Sequence, residues 1–323
     1  MTHLQAAILD EATFNANDLN LNPLLGLIPH WHRYPSTPLT QRVAHLKGIN
    51  IAVANKVVFD QPLLSQLPDL KVILLTATGM DNVDLSTCKT LGIAVFNVTD
   101  YCTSSVAQHV FSLILALSRQ LIPYQNMTKQ GDWSRSKHFS SLQFPIQELK
   151  GKTLGLVGYG ALAKGVEKLA KAFEMKILIA ERAGSKTASN GRLLLDDLLP
   201  QVDVLSLHCP LNSTTQNLIN AKALQRMKPT ALLINTARGG VVDNTALANA
   251  LRQHQIAGAG IDVLDIEPPP LNHPLLAEDL PNLILTPHIA WASVEARQRV
   301  IDHVADNLQQ WLSEKDNKVS LNP

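Results

Sequence analysis

Short apolar runs alternate with helical periodicities along the whole chain. In the first third, Ala6–Leu9, Ile51–Val53, Val72–Leu75 and Ile93–Phe96 are aliphatic runs bounded by polar or glycine positions, as buried strands are. Between them, Leu39–Leu46, Pro62–Leu67 and Asp84–Leu91 suit short helices. This alternation predicts a parallel sheet with helices on both faces. Ser104–Leu121 then reads as one long helix, apolar on nearly every side and therefore expected to be buried. A polar, serine-rich stretch around Gly131-Asp132-Trp133, running to about Gln143, reads as a surface excursion.

A second series follows: Leu154–Val157, Ile177–Ala180, Val204–Leu207, Leu232–Asn235, Ala259–Val263 and Ile284–Thr286. Six strand candidates with helices between them match the requirement of a dinucleotide-binding sheet. The last pattern, Ser293 to about Leu312, is one long amphipathic helix. It is expected to return to the first domain and make that domain discontinuous. The predicted class is α/β with two doubly wound parallel-sheet domains, one of residues 1–99 plus 291–323 and the other of residues 100–290.

Composition narrows the partners. The 323 residues carry a formal net charge of +1 and contain no long run of Lys or Arg, so a nucleic-acid partner has no electrostatic support. Three cysteines, Cys88, Cys102 and Cys209, are widely spaced without a C-x-x-C pair. Neither a disulfide framework nor a metal site is expected, and a reducing compartment fits. No apolar run approaches the ~18 residues of a membrane span, and no secretory signal opens the chain. The expectation is a cytoplasmic protein that binds no membrane.

Gly158-Tyr159-Gly160-Ala161-Leu162-Ala163 fits G-x-G-x-x-G/A. The pattern alone is weak, and an ordinary βα turn also uses glycines. Here it lies between a strand candidate, Thr153–Val157, and a helical pattern, Leu162–Phe173, so a helix N-terminus can face a pyrophosphate. Glu181 stands 23 positions after Gly158. A carboxylate there can accept from both ribose hydroxyls and repel a 2′-phosphate, which favours NAD. Arg182 beside it could accommodate that phosphate and keeps NADP open.

Three later segments each bring a reactive polar group to a strand end: Asn235-Thr236-Ala237-Arg238-Gly239-Gly240, Asp262-Val263-Leu264-Asp265-Ile266-Glu267-Pro268 and Thr286-Pro287-His288-Ile289-Ala290-Trp291. Doubly wound sheets collect ligand chemistry at the carboxyl ends of their strands, so these groups could converge. Any one of them alone would suit a structural role better than a catalytic one; the three together, downstream of a dinucleotide turn, do not.

Together these blocks resemble the D-isomer-specific 2-hydroxyacid dehydrogenase family over nearly the whole chain. Asn55-Lys56, Ala77-Thr78-Gly79-Met80-Asp81-Asn82, Glu267-Pro268-Pro269-Pro270 and His288-Ile289-Ala290-Trp291 are most similar to its glycerate dehydrogenases, or hydroxypyruvate reductases. The resemblance implies a Rossmann NAD-binding domain inserted in a discontinuous, flavodoxin-like substrate domain. It also implies an oxidoreductase that interconverts a small D-2-hydroxy acid and its 2-keto acid, D-glycerate and hydroxypyruvate foremost, with glyoxylate as a further substrate.

It further implies that Arg238 holds the substrate carboxylate and keto oxygen. His288 is the implied acid/base, with Glu267 as the carboxylate that raises its pKa. Thr78 and Gly79 would offer backbone N–H groups to the substrate, Asn55 would meet a C3 substituent, and Trp291 would wall the pocket. Asn55 as a turn residue and Trp291 as packing are equally good readings. On the cofactor side, the matching positions are Val106 against the nicotinamide, Asp262 at its carboxamide, and Thr236 and Ala237 beside Arg238. His208, Pro210 and Thr215 match the loop over the adenosine and pyrophosphate, with His208 as a strand-end histidine the plainer option. The remaining histidines carry no motif and read as structural, as do Cys102 and Cys209. Departures from the family pattern are Ala163 for a commoner glycine, Glu181 for a commoner aspartate, and Gln108 at a position often acidic. The resemblance also implies a homodimer, with contact expected through Ser104–Trp133.

Two other classes share much of this pattern: an NADH-sensing, corepressor-like binding protein, and a dehydrogenase of formate or phosphite. The compact length argues against the first. The Glu267–His288 pair and the hydroxypyruvate-like loop argue against the second.

Overall fold

The computed structural model describes residues 4–319. They form two compact units: one comprises the chain up to Cys102 and again from Ala292, and the other is Thr103–Trp291.

In the first unit the elements run β1 (Ala6–Ile8), α1 (Asn22–Leu25), β2 (Trp31–Arg33), α2 (Arg42–Leu46), β3 (Ile51–Ala54), α3 (Gln61–Leu64), β4 (Val72–Leu75), α4 (Leu85–Leu91) and β5 (Ala94–Phe96). All five strands are parallel, in the order β2-β1-β3-β4-β5. That is the 2-1-3-4-5 order of flavodoxin-like sheets. Every residue of β3 and β4 is buried, which is why these strands read as unbroken apolar runs. Asp60 and Asp84 cap α3 and α4 through their side chains. The final helix of the chain, Val294–Val319, belongs to this unit, where Arg297 forms a two-pronged ion pair with Asp18 at 2.7 Å.

Pattern reading passes over β2. Trp31, His32 and Arg33 show no apolar run because the strand lies at the sheet edge, pairs with β1 alone and faces largely outward. Leu39–Leu46 divides into a 3-10 turn, Leu39–Gln41, followed by α2.

The second unit starts with α5 (Thr103–Ser118). Gln120, at φ +54°, ends that helix and turns the chain into a separate helix, α6 (Leu121–Lys129), where one continuous helix to Leu121 is expected from the sequence. Then come β6 (Thr153–Val157), α7 (Ala161–Ala172), β7 (Lys176–Ile179), α8 (Leu195–Leu198), β8 (Val204–Leu207), α9 (Ala221–Arg226), β9 (Leu232–Asn235), α10 (Asn244–Arg252), β10 (Gly258–Ile261) and β11 (Leu283–Leu285). The final helix of the first unit becomes α11, and it runs well past Leu312.

The sheet order is β11-β10-β9-β8-β6-β7, all parallel. A single parallel bridge, Ala180 to Leu193, extends the β7 edge. With Leu193 counted in chain order, the sheet reads 3-2-1-4-5-6-7, the Rossmann order with one added strand. Helix α5 lies against β10 because Gly260 has no side chain: a Cβ there would come within 2.8 Å of Leu113 Cβ. The predicted class therefore holds, with a Rossmann unit inserted into a discontinuous flavodoxin-like one.

Candidate active site

The carboxyl edge of the second sheet carries the chemistry. After β6 the chain turns at Gly158, whose φ of +84° favours glycine. A Cβ at that position would also sit 2.7 Å from the Cys209 backbone nitrogen. Gly160 then starts α7 with no side-chain cap, and a Cβ on it would meet nothing within 4 Å. Helices α9 and α10 are capped by Asn220 and Asp243. The uncapped start of α7, at Ala161 and Leu162, thus points free N–H groups into open space, the arrangement that takes a pyrophosphate.

Glu181 follows β7. Its carboxylate accepts from the Ser189 backbone N–H at 2.7 Å, the Ser189 hydroxyl and the Arg182 N–H at 2.9 Å, with Arg192 at 3.8 Å. The Ser189 hydroxyl, then the Arg182 N–H and the Ser189 N–H, lower its pKa to about 2. With three of roughly four acceptor positions filled by its own loop, the group has room for one ribose hydroxyl rather than the two expected. The Arg182 side chain is exposed. His208 follows β8; burial depresses its pKa to about 4, Nε2 lies 2.9 Å from Ser206 Oγ, and Nδ1 is enclosed without a partner. Pro210 is exposed, but Thr215 directs its hydroxyl to the Pro210 carbonyl at 2.7 Å, so that donor is already engaged. Thr236 keeps a buried hydroxyl with no partner, and Val106 is buried in the first turn of α5. An open glycine cradle, an uncapped helix start and orphaned polar atoms on neighbouring strand ends fit a dinucleotide.

Strands β9, β10 and β11 are neighbours, and the three candidate catalytic residues follow their ends. Arg238 is exposed, with its guanidinium bonded to the Ala237 carbonyl at 2.8 Å. The backbone beside it abuts the next loop so closely that a Cβ on Gly239 would fall 1.8 Å from the Leu264 carbonyl carbon. That loop ends in Glu267, whose Oε1 accepts from the Leu264 N–H at 2.8 Å. Its Oε2 lies 2.6 Å from His288 Nδ1. His288 has φ +56°, a left-handed conformation that non-glycine residues adopt only when surrounding structure enforces it. Its N–H donates to the Asp262 carbonyl at 2.8 Å, and its carbonyl accepts from the Trp291 indole at 2.9 Å. Trp291 is a brace for this segment.

Asp262 departs from expectation. Its side chain has no exposed surface. Its carboxylate accepts from the Thr286 hydroxyl at 2.6 Å and from the backbone N–H groups of Ile289 and Ala290 at 2.9 and 2.8 Å. An enclosed carboxylate with these donors presents no face to a nicotinamide carboxamide. It holds the His288 segment instead.

In the first unit, Thr78 and Gly79 follow β4. Thr78 is fixed by its hydroxyl to the Val98 carbonyl at 2.7 Å and by its carbonyl to the Asn97 amide at 2.8 Å. Among the described residues, the backbone N–H groups of Thr78 and Gly79 have no acceptor. Asn55 is buried; its amide donates to Thr13 at 3.0 Å and its backbone N–H to Asp10 at 2.8 Å. It is a brace, which is the turn-residue reading. Asp10, whose pKa is raised by burial, also accepts from the Lys56 N–H and fixes the 55–57 loop. Its role was not legible in advance, because an acid after a strand carries no motif.

A glycine-turn dinucleotide site beside an Arg, Glu and His set defines a dehydrogenase of the Rossmann class. A family model for the D-isomer specific 2-hydroxyacid dehydrogenase NAD-binding domain matches residues 111–290. Glycerate dehydrogenase of Methylorubrum extorquens is 42% identical over 317 residues, 98% of each chain. Among solved structures, D-lactate dehydrogenase of Aquifex aeolicus, complexed with NAD and lactic acid, superposes with a TM-score of 0.81 at 27% identity over 98% of both chains. An NADPH-dependent glyoxylate/hydroxypyruvate reductase of Sinorhizobium meliloti, with NADP and malonate, gives 0.76 at 28% over 97% of this chain and 94% of that one. The chain belongs to the D-isomer-specific 2-hydroxyacid dehydrogenase family and is an NAD-dependent oxidoreductase of 2-hydroxy acids. The corepressor-like and formate or phosphite alternatives are not favoured.

Proposed function

We propose that the chain reduces hydroxypyruvate to D-glycerate with NADH, accepts glyoxylate, and runs the reverse reaction with NAD. The observation that carries the mechanism is the 2.6 Å contact between His288 Nδ1 and Glu267. With Nδ1 engaged there, Nε2 is the ring nitrogen left to protonate the nascent alkoxide and to remove that proton in oxidation. Glu267, fixed by the Leu264 N–H, compensates the charge of the imidazolium. Arg238 supplies a permanent planar cation that can pair with the substrate carboxylate and polarise the keto oxygen. The free N–H groups of Thr78 and Gly79 are the candidate carboxylate donors of the first unit. The bound coenzyme supplies the hydride. Gly158, Gly160, Ala161 and Leu162 would hold its pyrophosphate, Glu181 its ribose, and Val106, His208, Pro210, Thr236 and Ala237 its remaining surface.

The substrate choice is supported by the glycerate dehydrogenase of M. extorquens and the glyoxylate/hydroxypyruvate reductase of S. meliloti. Asn55 does not support it, being turned to Thr13. We also propose a cytoplasmic homodimer. Three unpaired cysteines suit a reducing compartment, and among the described residues no single helix is long and apolar enough to cross a membrane. The stretch after α5 leaves Leu121, Trp133, Phe139 and Leu142 exposed, Phe139 to 92%, apolar side chains that a second copy would cover.

The test is a cofactor and substrate panel: NADH or NADPH against hydroxypyruvate, glyoxylate and pyruvate. The expected result is the highest kcat/KM with hydroxypyruvate and NADH. Tight NADH binding with no turnover of any acid contradicts the proposal and restores the sensor reading.

A further inference from the structure

The segment from Thr286 to Trp291 carries His288 in its left-handed conformation, and helix α5 grips that segment at two points. Ser105 and His109 are four residues apart, and so share one face of α5. Ser105 Oγ donates to the Ala290 carbonyl at 2.7 Å. His109 Nε2 lies 3.0 Å from Thr286 Oγ1, and Thr286 Oγ1 donates its one proton to Asp262 Oδ1 at 2.6 Å. A hydroxyl whose proton is already given can only accept from the imidazole, so His109 carries its hydrogen on Nε2 and donates it. The same nitrogen is 3.5 Å from Asp262 Oδ1.

We propose that His109, assisted by Ser105, is a positioning residue for the redox reaction. It acts through Thr286 and Asp262 on the backbone that aims His288. Asp262 is the hub: it takes the Thr286 hydroxyl and the N–H groups on the C-terminal side of His288, and its own carbonyl takes the His288 N–H. His109 fixes the direction of the Thr286 hydroxyl and brings a donor up to the enclosed carboxylate. Without it, Thr286 is free to rotate away and Asp262 loses a ligand on the oxygen that also holds Ile289. The conformation of His288 then lacks part of what enforces it, and the contact of Nδ1 with Glu267 loosens. Misplacement of an acid/base group by ~1 Å costs up to about 100-fold in rate. Such an effect falls on turnover and leaves coenzyme affinity unchanged, because neither His109 nor Thr286 belongs to the glycine turn or the adenosine loop.

This inference rests on the assignment of His288 as acid/base, and the experiment separates the two. Steady-state hydroxypyruvate reduction and NADH affinity by fluorescence are measured for His109→Ala, His109→Gln, Thr286→Val, His288→Ala and the His109→Ala/His288→Ala double variant. His109→Ala is expected to lower kcat by about 10- to 30-fold with the NADH Kd within about twofold of wild type. His109→Gln, whose amide can place a donor where Nε2 stands, is expected to recover most of that loss, and Thr286→Val to reproduce it from the other side of the contact. In the His288→Ala background the His109 substitution is expected to change the residual rate by less than about twofold, as for residues acting in one chain. Wild-type kcat in His109→Ala beside an inactive His288→Ala overturns this inference alone. Equal losses in both backgrounds, or a loss that Gln does not restore, also overturn it. Wild-type turnover in His288→Ala overturns the acid/base assignment and this inference with it.

Discussion

Glu267 bridges two structures at once: one carboxylate oxygen accepts from the Leu264 N–H at 2.8 Å, and the other meets His288 Nδ1 at 2.6 Å. The first contact keeps the carboxylate from following the imidazole, so the imidazole is oriented by a fixed partner. Replacement by Gln keeps the shape and removes the charge that compensates a protonated ring. Glu267→Gln is expected to lower kcat for hydroxypyruvate reduction by about 10- to 100-fold, within the usual worth of acid–base assistance. The NADH Kd should stay within about twofold, which fluorescence titration measures.

Arg238 is a test of geometry more than of charge. A lysine keeps the cation and loses the planar fork. Arg238→Lys is expected to raise KM for the keto acid and reduce kcat/KM by about 100-fold, on the order expected for a lost bidentate, charge-assisted contact. Initial rates across substrate concentration separate the two effects. An unchanged KM would remove the carboxylate-binding role.

Gly158 meets two constraints, a φ of +84° and the Cys209 backbone 2.7 Å from any added Cβ. Gly158→Ala is therefore expected to cost roughly 1–3 kcal/mol and to weaken NADH binding at the same time. Thermal melting with and without NADH reads both. At Gly160, where a Cβ finds open space, alanine should leave the melting temperature of the free protein near wild type and weaken only coenzyme binding.

Coenzyme choice should be insensitive to pH wherever the 2′-phosphate of NADPH, with its second pKa at about 6, is fully ionised. The donors around Glu181 hold its pKa at about 2, so its charge against a 2′-phosphate is complete throughout pH 5–9. The NADH to NADPH ratio of kcat/KM is expected to stay flat over about pH 7.5–9, and Glu181→Ser to shift it towards NADPH by about tenfold or more through the loss of one like-charge repulsion. A ratio that changes between about pH 7.5 and 9, where the phosphate is fully ionised, would place the discrimination on another group.

His208 has a different consequence. Its folded pKa, about 4, lies below the ordinary value of 6.5 because burial disfavours the charged ring. In the window between them the unfolded chain binds the proton and the folded one does not. Stability from this group is thus complete above pH 6.5 and declines as pH falls towards 4, by on the order of 2–3 kcal/mol in all. The melting temperature of His208→Gln should fall less steeply over that window than that of wild type.

What could be read beforehand follows from the physics of each element. Strands β3, β4, β8 and β9, buried on both faces, announce themselves as apolar runs, and the glycine turn between β6 and α7 has a spacing set by backbone approach. Edge strand β2 gives no such signal, since Trp31–Arg33 meets one neighbour and solvent. The Arg238, Glu267 and His288 set was visible because each follows a strand in the second sheet. Asp262 was matched to a coenzyme contact by the family resemblance, whereas its donors, Thr286, Ile289 and Ala290, lie more than twenty residues away and leave no mark beside it in the sequence. For Asn55 both readings stood open in the sequence, because its partners, Asp10 and Thr13, lie more than forty residues away. For Ser105 and His109 the sequence held little signal: they lie one turn apart, but Thr103, Ser104, Gln108, Ser112 and Ser118 are polar on the same helix. Spacing along α5 shows that they share a face, and only the fold shows what that face touches.

The central assignment is that His288 moves the proton while other groups bind the coenzyme, and the direct measurement is the pair kcat and NADH Kd in His288→Ala. The account predicts turnover of hydroxypyruvate lower by about 100-fold or more, the range of acid–base catalysis, with the NADH Kd within about twofold of wild type. Turnover within a few-fold of wild type would contradict it.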